Sequence, residues 1–181
     1  IQNGTKLLGA DAESGANFLT PAIHHVAQAR VAAKQEHETL DDKRLFRDLL
    51  SSMPMAFNLF GEASLAENAL SRRRLAELFG VVASEPSDIV FEWSPGRRDA
   101  RYTRDRTAFD VALRLGPEDA PRTVVGIETK YHEHSAKEAA PSASKPESLQ
   151  RYTEQTEFLA RIADDAGIFK SGWREAILST D

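Results

Sequence analysis

The apolar positions of the chain change period twice. From about residue 20 to residue 80 they recur at helical spacing, from 88 to 131 they alternate, and from 147 the helical spacing returns. Thr20-Pro21 has the form of a helix start, with Thr as cap and Pro at the first helical position. The Ala-, Gln- and Lys-rich stretch that follows predicts a helix to about Glu38. Asp41-Asp42 opens a second helix with Leu45, Phe46, Leu49 and Leu50 on one face, and Ser51-Ser52-Met53-Pro54 ends it. Residues 56–61 read as an apolar turn. A third helix is expected over Ser64–Phe79, with Leu65, Leu70, Leu75, Leu78 and Phe79 as its buried stripe and Gly80 closing it. Residues 1–19 have no clean period and read as a loose arm.

The alternating region predicts three strands. Asp88–Trp93 is the first. In Thr107–Leu115, the second, Phe109, Val111, Leu113 and Leu115 take one face and Ala108, Asp110, Ala112 and Arg114 the other. Arg122–Tyr131 is the third. A turn at 116–119 and short connections favour an antiparallel meander with helices packed on it. Residues 134–147 read as a Ser-, Ala- and Pro-rich loop, and a helix follows over 147–164 with Leu149, Tyr152, Leu159 and Ile162 as its apolar set. Phe57 and Phe60 are expected to wedge the third helix against the sheet, and Trp93 to belong to its core or rim.

Composition narrows the classes. The chain has 181 residues, 41% hydrophobic and 28% charged, the composition of a globular domain. No apolar run approaches membrane-spanning length, so no membrane partner is expected. Cysteine is absent, which excludes a disulfide scaffold, a Cys nucleophile and any Cys-ligated metal. That fits a cytoplasmic protein. The net charge of −5 excludes a globally basic nucleic-acid binder, though not a local basic patch. Neither a phosphate-cradling Gly loop nor a nucleophile elbow is present. The chain opens on Ile1 and closes soon after Ala176-Ile177-Leu178, so both ends read as those of a fragment or of the ordered part of a longer protein.

Chemistry concentrates at two strands. Asp110 interrupts an apolar strand. Glu128 and Lys130 stand two apart on the next, so their side chains share a face. If Asp110 shares that face, two carboxylates and an ammonium converge. Such carboxylates suit a hard divalent cation, which lowers the pKa of bound water and neutralises phosphate charge. Lys130 would then orient the water or stabilise an anionic transition state. A cross-strand ion pair on an exposed sheet face accounts for the same residues without catalysis.

Phe109-Asp110 followed by Gly126-Ile127-Glu128-Thr129-Lys130 resembles the signature of the PD-(D/E)XK nuclease superfamily. The words Ser52–Gly61 and Gly126–Glu133 are similar to those of a bacterial, restriction endonuclease-like branch, and the likeness covers about residues 40–160. The resemblance implies an α/β (α+β) fold with a restriction-endonuclease-like core, a mixed sheet flanked by helices, here with an N-terminal helical extension. It divides the chain into an arm and helix over 1–39 and a nuclease-like domain over 40–181, cut short at its C-terminal end. It implies Mg²⁺ (or Mn²⁺) as cofactor, nucleic acid as partner, DNA before RNA, and phosphodiester hydrolysis as reaction. Asp110 and Glu128 become metal ligands and Lys130 the catalytic lysine. A further acid often precedes the strands in this superfamily: Glu62 is the first candidate and Glu67 the second, although acids in a first helical turn are favoured by the helix dipole alone. Gln150 and His132 are minor candidates.

Two departures stand out. Phe109 occupies the place of the Pro in the family's name, and no convincing fourth strand follows the helix at 147–164, Gly167–Lys170 being at most a stub of one. Arg97, Arg98, Arg101, Arg104 and Arg106 form a loop suited to phosphate contacts, with a self-paired solvated hairpin as its structural alternative. Restriction enzymes that read a sequence often dimerise, so a homodimer belongs among the expected assemblies. Two other classes stay open: a nucleic-acid-binding or interaction module without turnover, and a hydrolase of small phosphorylated molecules.

Overall fold

The computed structural model describes residues 4–36, 38–81, 86–96, 99, 102, 107–115, 123–131, 141–167 and 169–178. The chain divides into two compact units, residues 1–97 with 105–134, and residues 98–104 with 135–181.

Side-chain caps set the helices of the first unit. Thr20 accepts from the Ile23 amide and starts α2 (Pro21–Ala32), Asp41 accepts from Arg44 and starts α3 (Asp42–Arg47), and Ser51 accepts from Met53 and starts α4 (Ser52–Phe60). The helix expected to reach Glu38 ends at Ala32. Beyond it the chain turns back, which lets Leu40 enter the core at 1% exposure. The expected turn at 56–61 is helical. Pro54 stands in the first turn of α4, where an amide has no intrahelical partner to lose, so it does not break the helix.

The third predicted helix is divided. A 3₁₀ turn, Glu62–Ser64, is followed by α5 (Ala69–Leu78). Arg72 donates to the carbonyls of Leu65 and Ala66 and closes the loop between them. Leu70 and Leu78 are therefore exposed instead of buried, and Leu75 and Ala76 carry the packing. The arm is not loose among its described residues. It holds α1 (Gly9–Glu13) and a bridge from Lys6 to Asp48. Asn17 donates to the Leu45 carbonyl at 2.9 Å, and Asn58 donates to the Asn17 carbonyl at 2.9 Å. Polar bonds tie it down, which is why no apolar period marks it.

Strands β1 (Pro86–Trp93), β2 (Phe109–Leu115) and β3 (Thr123–Ile127) form the expected antiparallel meander in the order β1-β2-β3. Phe91 pairs with Val111, Trp93 with Phe109, and Val111 with Ile127. Ile89, Phe91, Val111 and Leu113 join Ile23, Leu40, Leu45, Met53, Phe57 and Phe60 in one core. Phe57 lies flat on Phe91, ring centroids 4.0 Å apart, so α4 supplies the wedge expected of the third helix. The fold is a mixed α+β one, with a three-stranded antiparallel sheet and seven α-helices among the described residues.

In the second unit, α6 (Pro146–Ala166) ends at Gly167, whose φ of 62° is left-handed, and α7 (Trp173–Leu178) follows. The strand stub expected at Gly167–Lys170 is not formed: Gly167 ends the helix and Phe169 turns onto Trp173 at 4.9 Å.

Candidate active site

The third strand stops earlier than its apolar pattern predicts, and the stop creates the site. The last β2–β3 pair is Val111 with Ile127. Two residues on, the Thr129 amide finds no ladder carbonyl and donates instead to Asp110 Oδ2 at 2.7 Å. The Thr129 hydroxyl lies 2.7 Å from the same oxygen and 3.2 Å from the Ser52 carbonyl at the start of α4. Thr129 is buried, and Asp110 is half-buried. One residue thus joins the end of β2, the segment after β3 and the N-terminus of α4. Both of its bonds to Asp110 converge on Oδ2, and neither engages Oδ1.

Glu128 and Lys130 stand on either side of Thr129 and pair with each other, Nζ to Oε1 at 2.8 Å. Their side chains are 55% and 62% exposed. An ion pair this exposed contributes about 1 kcal/mol or less, so it opens at little cost when a stronger partner arrives. The expected sharing of a face by Glu128 and Lys130 is what the structure shows. Asp110 meets the residue between them and not their own side chains. Among the described residues no three acidic or imidazole side chains gather to hold an ion. The donor chemistry of Asp110 and Glu128 nonetheless fits a hard cation, because Mg²⁺ commonly takes one or two carboxylates and completes its shell with water and substrate oxygens.

Any residue larger than glycine at position 126 would displace the Phe109 ring. A Cβ there would stand 2.4 Å from the Phe109 ring, which lies over it. The residue in the place of the family's Pro is therefore an aromatic covering the start of the Glu128 word. Its ring also stacks on Trp93 at 6.4 Å, and Trp93 carries the Arg114 guanidinium at 5.9 Å.

The residue that sequence reasoning missed is Glu92. It lies between the Phe91–Val111 and Trp93–Phe109 pairs, the same stretch of the ladder that holds Asp110 on β2. It is 7% exposed, its backbone φ is 51°, and its Oε2 accepts from the Thr39 hydroxyl at 3.1 Å. Burial pushes its carboxyl above the ordinary carboxylate value. The Thr39 bond opposes this, the Asp110 charge adds to it, and Arg44 and Arg30 draw it back. The available signal was an acid inside the apolar word Ile89-Val90-Phe91-Glu92-Trp93.

The other candidates stand elsewhere. Glu62 accepts from Thr20 at 2.8 Å, bracing the start of α2. Glu67 falls in the loop before α5. Gln150 is exposed on α6 and donates to Glu154 at 2.8 Å. Arg97, Arg98, Arg101, Arg104, Arg106 and His132 lie outside the described residues. No helix among the described residues is long and apolar enough to cross a membrane.

The sequence model of the PD-(D/E)XK nuclease superfamily matches residues 1–181. Neither a curated protein nor a solved structure matches the chain significantly. A match over the whole length assigns the chain: it belongs to the PD-(D/E)XK nuclease superfamily.

Proposed function

We propose that the chain hydrolyses phosphodiester bonds of nucleic acid, DNA being the favoured substrate, with a divalent cation, Mg²⁺ or Mn²⁺, as cofactor. The observation that carries this reading is the junction of Asp110 with Thr129, the middle residue of the Glu128-Thr129-Lys130 word. Asp110 Oδ1 and the Glu128 carboxylate would hold the cation. When bound, it supplies charge neutralisation at the phosphate and a more acidic water. Thr129 keeps Asp110 from swinging away. Lys130 leaves its exposed pair with Glu128 to orient the attacking water or to stabilise charge developing on the phosphoryl oxygens. The arginines between residues 97 and 106 supply the local positive charge that a net-acidic chain needs to approach a polyanion.

The second reading, a nucleic-acid-binding module without turnover, is favoured by the pairing of Glu128 with Lys130 instead of a shared approach to Asp110. Relaxation of supercoiled plasmid, measured with Mg²⁺, with Mn²⁺ and with chelator, separates the two when gel-shift binding is followed on the same samples. Cleavage that requires the metal supports hydrolysis. Tight binding with no cleavage under any metal supports the module.

A further inference from the structure

Glu92 is expensive where it stands. A strand position beside apolar neighbours is better served by Val or Ile than by a carboxyl. In the same stretch of the ladder, between the Phe91–Val111 and Trp93–Phe109 pairs, β2 carries another acid, Asp110, whose charge reaches Glu92, and like charges this close repel. The backbone adds to the cost: φ of 51° is rare outside glycine, and such a conformation persists only where the surroundings impose it. Thr39, in the segment between α2 and α3, holds the side chain by a single neutral hydrogen bond. That bond fixes the carboxyl in place, and the Arg44 and Arg30 charges offset only part of the effects of burial and of Asp110. None of these features aids the sheet.

We propose that Glu92 is a positioning residue of the centre: its carboxylate, held near Asp110, strengthens the binding of a divalent cation at Asp110. The inference rests on Asp110 being a ligand. Two negative charges that repel each other both attract a dication beside them, and their effect is larger in a partly buried setting than in water. The strained backbone and the Thr39 bond keep Glu92 from relieving the repulsion by turning outward. Its role is to hold charge behind the ligand, without touching substrate.

Titration calorimetry of the full chain with Mn²⁺ alone, without nucleic acid, tests this. Wild type, Glu92→Gln, Glu92→Asp and Asp110→Asn are compared. Glu92→Gln keeps the shape and can still accept from Thr39, so its Mn²⁺ affinity should fall roughly tenfold or more, the range seen for groups behind metal ligands. Glu92→Asp keeps the charge and should bind more tightly than Glu92→Gln. Asp110→Asn should lose the site. Wild-type affinity in Glu92→Gln, with binding lost in Asp110→Asn, overturns the role of Glu92 and leaves the centre standing. Equal weakening by Gln and Asp in folded protein also overturns it, since a structural role would respond to shape and not to charge. Unchanged binding in Asp110→Asn overturns the centre itself. If Glu92→Gln does not fold, Glu92→Asp decides: binding retained supports the role, and binding reduced to the level of Asp110→Asn refutes it.

Discussion

Strands β1 and β2 have two environments within a few residues. In their middle, Ile89, Phe91, Val111 and Leu113 are buried against α2 and α4, with Val111 and Leu113 at 0% exposure. At their ends, Glu92 and Asp110 lie in one stretch between ladder pairs, close enough for their charges to interact, and Thr129 takes the place of a third strand. The middle gains stability by excluding water. The end carries like charges and a left-handed residue, both of which cost stability. Sites of chemistry are drawn from such positions, because a group fully satisfied by its own protein has nothing left for a ligand. The contrast makes a clear demand: substitutions at the end should change activity more than stability, and substitutions in the middle the reverse.

Asp110 itself aside, the largest expected effect is at Lys130. Its ion pair with Glu128 is exposed, so Lys130→Ala should leave the melting midpoint within a degree or two of wild type. Cleavage under single-turnover conditions should fall on the order of 10²–10³-fold, as when a group stabilising transition-state charge is removed. A wild-type rate in this variant would break the comparison at its functional end.

Leu113→Ala tests the other end. It empties a fully buried position and should cost about 3 kcal/mol in urea unfolding. The protein that remains folded should cleave at the normal rate and require the same Mn²⁺ concentration. Thr129 lies on the border of the two environments. Thr129→Val removes a hydroxyl lying between Asp110 and the Ser52 carbonyl, and should lower stability by about 1–2 kcal/mol while raising the Mn²⁺ concentration needed for cleavage. Thr129→Ser, which restores the hydroxyl, should recover both.

The smallest effect is a dependence on pH. Burial holds the Glu92 carboxyl above the ordinary value of 4.5, so the folded chain keeps this proton after the unfolded chain has released it. Its contribution to stability is whole below that ordinary value and is lost as pH rises through the elevated one. Glu92→Gln should therefore melt close to wild type near pH 4 and above it at neutral pH. Melting midpoints taken from pH 4 to 8 without metal check this, and parallel curves for the two proteins would contradict it.

Much of the fold is legible in local pattern. The alternation of Val111, Leu113 and Leu115 marks β2, and Thr20-Pro21 and Asp41 mark two helix starts, because these signals act within a few residues. Ser51 was hidden as a cap because Pro54 resembles a breaker, and its harmlessness depends on standing in the first turn of α4. The arm escaped notice because Asn17 and Asn58 hold it by hydrogen bonds to distant backbone. At the site, Asp110, Glu128 and Lys130 stand out as charges in apolar words. Thr129 does not, since its value arises only where β3 leaves the ladder two residues before it. Glu92 becomes significant only once the pairing of β1 with β2 brings it near Asp110.

The central claim is that a metal-dependent nuclease centre is built on Asp110. Its most direct test is single-turnover plasmid cleavage by Asp110→Asn beside wild type in saturating Mn²⁺, each shown by its melting transition to be folded. The account predicts metal-dependent cleavage by the wild type and none above background by the variant. Cleavage by a folded Asp110→Asn protein at the wild-type rate would contradict it.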